Sequence, residues 1–252
     1  MRIGGCLGRE WQQFEKDGDM MLLWIADMRT APLAKDYECV LGALSAEDAE
    51  RARRFVNHDD AVRSAVGALL LARMAARALG NGALPEIVRT EYGKPYVAGH
   101  PEVQLSLAHG GSIVVCVSAD EPVGVDVEQV RPVDLADFDS WLTECEKQAI
   151  ATSDDPVREF FRIWTAREAF AKRDGRGLAL FDDPAVREGY RDAGCEFREV
   201  PAEGHVLTLC ARRIPHSLRI EHLTPLAWHA LLDGGARKTC QRHGSRKLGH
   251  TS

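Results

Sequence analysis

Two short segments, Gly-Val-Asp-Val-Glu at 124–128 and Trp-Thr-Ala-Arg-Glu-Ala-Phe-Ala-Lys at 164–172, constrain this chain more than anything else in it. Side chains alternate along a strand, so Asp126 and Glu128 share one face while Val123, Val125 and Val127 share the other. In the second segment Trp164, Glu168 and Lys172 recur every four residues, which is one stripe of a helix. Two carboxylates held side by side on a strand repel each other, and a bound cation removes the penalty. A third carboxylate from a nearby helix, Glu168, completes an all-oxygen site suited to Mg²⁺, which keeps waters and takes its other ligands from substrate phosphate. Lys172, one turn further on, can then reach those phosphates. Taken singly the segments have plainer readings: a half-exposed strand, and a surface Glu168–Lys172 pair worth about 0.2–0.5 kcal/mol. Jointly they point to chemistry on a phosphate ester, because each supplies what the other lacks.

Composition permits this without selecting it. At 252 residues the chain is long enough for one large domain or two smaller ones. Its 45% hydrophobic and 28% charged residues give an ordinary globular profile with material for a core. A net charge of -6 offers no broad attraction to nucleic acid or to an anionic membrane. The seven cysteines form no C-x-x-C pair and are odd in number, which argues against a disulfide framework and a zinc site and fits a reducing cytosol. The nine histidines are scattered, none in H-E-x-x-H spacing.

A pass along the chain finds two halves, 20–120 and 121–234. Residues 1–19 read as a loose extension and 235–252, basic and polar, as a disordered tail. The run Met20–Ala26 is too short to span a bilayer and reads as a first core strand. Ser45-Ala46-Glu47-Asp48 resembles a capping box opening a helix to about Phe55. Asp59 or Asp60 can cap a second helix with its apolar stripe at Val62, Val66, Leu69, Leu70 and Met74, ended by Gly80-Asn81-Gly82. Strands follow near 86–91, 94–97, 103–108 and 112–119, then 123–129 after the break at Glu121-Pro122. Thr143 with Glu146 forms another capping box, and Pro156 opens the helix that carries Trp164, Glu168 and Lys172 and stops at Gly175 and Gly177. Strands near 195–201, 205–213 and 217–222 precede a short helix opened by Thr224-Pro225. Helices followed by strands in each half suggest an α+β fold of two similar units, each a helix layer against a small, mostly antiparallel sheet, rather than a doubly wound parallel sheet.

The two opening segments, taken with Arg53-Arg54-Phe55, Asp60-Ala61-Val62-Arg63-Ser64, Glu91-Tyr92-Gly93-Lys94-Pro95 and Leu105-Ser106-Leu107-Ala108-His109, resemble the 4′-phosphopantetheinyl transferases of the larger, surfactin-synthetase type. The likeness runs from about 45 to 180. It implies a monomeric pseudo-dimer of two α/β halves with internal pseudo-twofold symmetry and coenzyme A in the cleft between them. It also implies a cytoplasmic enzyme that moves phosphopantetheine from coenzyme A to a serine of an apo acyl or peptidyl carrier protein, with no nucleic-acid or membrane partner. By resemblance Asp126, Glu128 and Glu168 hold Mg²⁺, for which Mn²⁺ can substitute. Lys172 neutralises charge on the pyrophosphate, and Glu168 is the candidate base, directly or through a metal-bound water, so Asp126, Glu168 and Lys172 form the catalytic set. Lys94 and Pro95 fall where the family meets the nucleotide, and Arg63, Ser64 and His109 where it meets the 3′-phosphate, with Arg51 near a basic position of similar task. Ala108 departs from the pattern, which often has serine there, and Asp48 replaces a basic residue of some members.

The segment from Arg131 to Pro156, with Val133, Leu135, Phe138, Trp141 and Leu142, is the carrier-docking surface by resemblance; the alternative is that these residues pack the second half's core, and for Trp141 the two readings weigh the same. Two other functions remain open on the residues alone. A metal-dependent nuclease or nucleotidyl transferase could use the same carboxylates, but no basic face or Gly-Ser nucleotide loop accompanies them. A non-catalytic carrier-binding module would have no use for the carboxylates with Lys172.

Overall fold

Alternate burial in two directions sets the centre of the fold. In β1 (Met21–Asp27), Leu22, Trp24 and Ala26 enter one apolar cluster, while Met21, Leu23 and Ile25 enter another. A strand apolar on both faces needs a layer on each side. The computed structural model describes residues 21–30, 37–80, 83–224, 227–228 and 231–232. The expected extension at 1–19 and tail at 235–252 lie outside the described residues, as do Asn81, Gly82 and Pro225.

On one side of β1 lie α1 (Tyr37–Gly42), α2 (Ala46–Arg53) and α3 (His58–Ala78), with α3 covering most of the sheet. Ser45 caps α2 by accepting from the Asp48 amide at 3.1 Å. The cap of α3 differs from the expectation: it is Asn57, whose side chain accepts from the amides of Asp59 and Asp60, so those two acids occupy the first turn. There they favour the helix dipole instead of capping it. Gly67 permits the close approach of α3 to the sheet, since a Cβ there would stand 2.8 Å from Leu107 Cδ2.

The sheet itself runs β2 (Ile87–Arg89), β3 (Pro95–Val97), β4 (Gln104–Gly110), β5 (Ile113–Ala119), β1, and finally β9 (Arg219–His222). All its pairings are antiparallel except that of β1 with β9. A second sheet holds β6 (Val123–Gln129), β8 (His205–Ala211) and β7 (Glu196–Val200), all antiparallel. The chain is therefore α+β, as expected. The sheets are unequal, six strands against three, because β9 crosses from the second half to the edge of the first sheet beside β1. Trp24 Nε1 and Arg77 both bond Glu221 of β9, which ties that edge down.

The two sheets pack face to face through Val123, Val125, Val127, Leu207 and Leu209 on one side and Leu23, Ile25, Val115 and Val117 on the other. On the outer face of the second sheet lie α4 (Glu144–Thr152), α5 (Pro156–Asp174) and α6 (Pro184–Gly189), with single 3₁₀ turns at Leu135–Phe138 and Leu178–Asp182. The layers thus run helix, sheet, sheet, helix. Pro156 stands in the first turn of α5, Asp155 caps it, and Gly175 ends it at φ 99°. The sequence reading omitted α1, α6 and the 3₁₀ turns, a third of which spans Tyr190–Asp192; all are too short to show a period. Among the described residues no helix is long and apolar enough to cross a membrane.

Candidate active site

Gly124 decides where the site can form. A Cβ at that position would stand 1.9 Å from Ala169 O and 2.6 Å from Arg173 N, so only glycine lets α5 lie directly on β6. The valines of β6 point into the intersheet core, which leaves Asp126 and Glu128 on the face that α5 covers. Thr165 and Thr208, whose hydroxyls meet at 2.8 Å, fix the helix along β8. Glu168 and Lys172 then descend onto the two strand carboxylates.

Lys172 Nζ donates to Asp126 Oδ1 at 2.6 Å. Asp126 is only 4% exposed, and its other oxygen, Oδ2, is buried without a hydrogen-bond partner. The carboxyl of Glu128 is pushed up to about 7, first by burial, then by the charge of Asp126, with Lys172 opposing and Glu168 adding to the rise. Burial also raises Glu168; Lys172 opposes that rise and Asp126 adds to it. Burial pulls the Lys172 ammonium down, yet Asp126, Glu168 and Glu128 outweigh it and hold the group above its usual value. Three carboxylates thus share one ammonium, with the more weakly acting Arg131 charge opposing the rise at Glu128, and acid outnumbers base in the site. Among the described residues no three His, Cys, Asp or Glu side chains converge closely enough to enclose an ion as they stand. The donors nonetheless suit a hard divalent cation, being all oxygen, mutually repelling, and including one buried oxygen with nothing to bond.

Beside these groups lies a cleft of about 260 Å³. Glu168, Ala171 and Lys172 of α5 line one wall; Lys94, Pro95 and Ser106 of the first sheet line the other. Lys94 Nζ donates to Arg173 O at 2.5 Å, across the cleft. Burial, then the Arg173 charge, lowers the Lys94 ammonium to about 8. At the inner edge Ser106 Oγ accepts from Val125 N at 3.1 Å, and Gly110 meets Val127 O so closely that a Cβ would sit 2.2 Å away. These contacts pin β4, and with it His109, against β6. The protein around the His109 ring, then Lys172 and Arg63, lower its pKa. Arg63 donates to Gly111 O at 3.2 Å and to Asp60 at 2.5 Å.

Lys94, Pro95, Glu168 and Lys172 therefore share one cleft, with the charges of Lys172 and Arg63 both reaching His109. Arg63 lines a neighbouring cleft of about 580 Å³. Ser64 lines neither cleft. The Ala108 methyl packs in the intersheet core, which leaves only its main chain for a ligand. Arg51 is held by Glu47 at 2.7 Å and Asp48 at 3.1 Å.

One cluster escaped the sequence reading. Arg167 and Glu146, both buried, are hydrogen-bonded to each other. Glu146 also accepts from Tyr190 Oη at 3.2 Å and from Thr143 N and Oγ1, completing the anticipated capping box. Arg167 further donates to Trp141 O at 2.5 Å and stacks over Phe181 and Tyr190. Glu146 was legible as a capping residue, but nothing local indicated a partner 21 positions away. In the segment expected to dock carriers, Val133, Leu135, Phe138 and Leu142 pack against Phe160 and Ile163, whereas Trp141 remains 44% exposed.

Comparison with known proteins matches residues 122–232 to the 4′-phosphopantetheinyl transferase superfamily and 29–121 to the N-terminal domain of a 4′-phosphopantetheinyl transferase. A 4′-phosphopantetheinyl transferase of Bacillus subtilis is 33% identical over 176 residues, 68% of this chain and 77% of the relative. The 4′-phosphopantetheinyl transferase Sfp of Bacillus subtilis strain 168 is 29% identical, over 62% of this chain and 72% of its own length. A third relative, ffp of Bacillus subtilis, is 27% identical over 80% of this chain and 96% of its own.

Proposed function

Because the chain belongs to the 4′-phosphopantetheinyl transferase superfamily, we propose that it moves the 4′-phosphopantetheine group of coenzyme A onto a serine of an apo acyl or peptidyl carrier protein, releasing 3′,5′-adenosine bisphosphate. The observation that carries this reading is the cleft in which Lys94 and Pro95 of one sheet face Glu168 and Lys172 of the helix on the other. A nucleotide bound against Lys94 and Pro95 extends its diphosphate toward Lys172 and the carboxylates.

Asp126, Glu128 and Glu168 would hold Mg²⁺, or Mn²⁺ in its place, which when bound supplies positive charge against the diphosphate. Lys172 adds a second charge there, and phosphoryl transfer depends chiefly on such neutralisation and alignment. Glu168 accepts the proton of the serine hydroxyl, as a carboxylate placed on the cleft wall beside Lys172 can. The serine oxygen bonds to the phosphorus bearing the pantetheine arm as the bond from that phosphorus to the bridging oxygen breaks. The departing bisphosphate keeps that electron pair. Arg63 and His109 contact the 3′-phosphate, with Arg51 and the Ala108 main chain in support; Ser64, expected beside them, lines neither cleft. Trp141, exposed at the margin of its aromatic cluster, meets the carrier. We read the chain as a monomeric pseudo-dimer, since each half runs a strand, then helices, then further strands, and the cleft lies between the halves.

The test is to incubate the purified protein with coenzyme A, Mg²⁺ and a panel of apo carrier proteins and to read intact masses. Gain of one phosphopantetheinyl group at a carrier serine is expected; no gain on any carrier would overturn the reading.

A further inference from the structure

Arg89 belongs to none of the motifs that point to the cleft, yet it lines it. It ends β2 directly opposite Pro95 in the register of β3, so both side chains present to the same face. Among the described residues it makes one hydrogen bond, from Nη1 to Gly93 O at 3.3 Å, within the turn that carries Lys94. A guanidinium has five N–H donors in a fixed fork, so Nε and Nη2 remain for a ligand.

Its electrostatic neighbours locate it. Burial, then the like charge of Arg51, lowers the Arg89 pKa, while Asp48 and Glu47 oppose them. Those two acids are already engaged with Arg51. None of Asp126, Glu128, Glu168 or Lys172 is among the charges acting on Arg89, although Glu168 and Lys172 line the same cleft. Lys94 lies between, answering to Arg173 and Asp174. The cleft thus has a carboxylate end at α5 and a guanidinium end at Arg89 of β2, with the Lys94 turn also on its lining. Two like-charged guanidinium groups that feel each other at a partly buried position are relieved by a doubly charged anion that both can fork.

We infer that Arg89, together with Arg51, grips the 3′-phosphate of the nucleotide substrate from the β2 side of the cleft, and so selects 3′-phosphorylated substrates. The inference rests on the coenzyme A reading and extends it to a residue outside the family motifs. Arg89 also explains how Asp48 is tolerated where some relatives carry a basic residue: the missing charge is supplied from β2, and Asp48 orients Arg51 instead.

The experiment compares wild type, Arg89→Ala and Arg89→Lys with coenzyme A and dephospho-coenzyme A as donors. Arg89→Ala should raise KM for coenzyme A about tenfold or more, with kcat little changed, and should alter KM for dephospho-coenzyme A less than twofold. Arg89→Lys, which keeps the charge but not the fork, should fall between. Calorimetry with 3′,5′-adenosine bisphosphate and with adenosine 5′-monophosphate should show the same selective loss, and it requires no turnover. Equal losses on both donors, or on both nucleotides, would overturn the assignment. If wild type transfers from neither donor, the coenzyme A reading fails, and the calorimetry alone decides the role of Arg89.

Discussion

Arg167 and Glu168 are neighbours on one helix, yet they enter charge clusters of opposite character. On one side Glu146 takes hydrogen bonds from Thr143, Arg167 and Tyr190, and the Arg167 guanidinium is bonded, stacked and buried. On the other side three carboxylates crowd one lysine, and Asp126 Oδ2 has no partner at all. Burial without satisfaction costs folding free energy, and such groups persist where a ligand completes them. A saturated cluster holds the fold together; an unsaturated one awaits a charge. Adjacent positions on α5 are thus divided between architecture and chemistry.

That contrast can be broken by mutation. The largest effect expected falls on the unsaturated side: Glu168→Gln should reduce turnover about 10²–10⁴-fold if Glu168 is the base. Coenzyme A binding with Mg²⁺ should persist in weakened form, and the unfolding midpoint should not fall. Turnover and calorimetric affinity falling in the same proportion would make Glu168 a ligand only.

On the saturated side Arg167→Ala should act through stability. It strands a buried carboxylate, at a cost of about 3–5 kcal/mol, which in a chain of this size lowers the melting midpoint on the order of 10 °C. Thermal unfolding read beside kcat at a permissive temperature separates the two sides. A variant that keeps its midpoint but loses turnover would mean that Arg167 belongs to the chemistry.

A smaller effect concerns pH. Lys94 loses its charge near pH 8, well below a free lysine, because burial and Arg173 disfavour the ammonium. KM for coenzyme A should therefore rise several-fold as pH passes through about 8, and Lys94→Arg should move that limb to higher pH, since arginine stays charged. The stability sign is the reverse. The folded protein releases this proton before the unfolded chain does, so the group's contribution rises with pH between about 8 and 10.5. An unchanged KM profile in Lys94→Arg would remove Lys94 from nucleotide binding.

The smallest effect expected is that of Trp141→Ala. If this ring meets the carrier, KM for carrier should rise by about fivefold, the equivalent of about 1 kcal/mol, while KM for coenzyme A holds. Loss of stability with unchanged carrier KM would assign it to the cluster with Phe138 and Trp164 instead.

Much of the site was legible because its determinants are local. Period-two alternation placed Asp126 and Glu128 on one face, period-four spacing aligned Glu168 with Lys172, and the capping box from Thr143 to Glu146 is a four-residue pattern. Gly124 reads in the sequence as part of a motif, but its need for a bare Cα depends on the carbonyl of Ala169, and no local pattern contains that contact. Arg167 passed without remark because its partner Glu146, which Tyr190 also bonds, comes from a distant part of the chain. The strand at 219–222 was visible, but its place beside β1 was not, since neither strand carries a mark of its partner. Arg89 was unremarked for the same reason: one arginine in a three-residue strand acquires meaning only beside Pro95 and Arg51.

The most direct test of the division is Asp126→Asn, measured in one preparation for carrier mass gain and for thermal unfolding without metal. Asparagine keeps the shape and can still accept from Lys172, while it removes one of three mutually repelling charges. The account predicts that phosphopantetheinyl transfer disappears and the unfolding midpoint holds or rises. A variant that transfers like wild type, or that unfolds as early as Arg167→Ala, would contradict it.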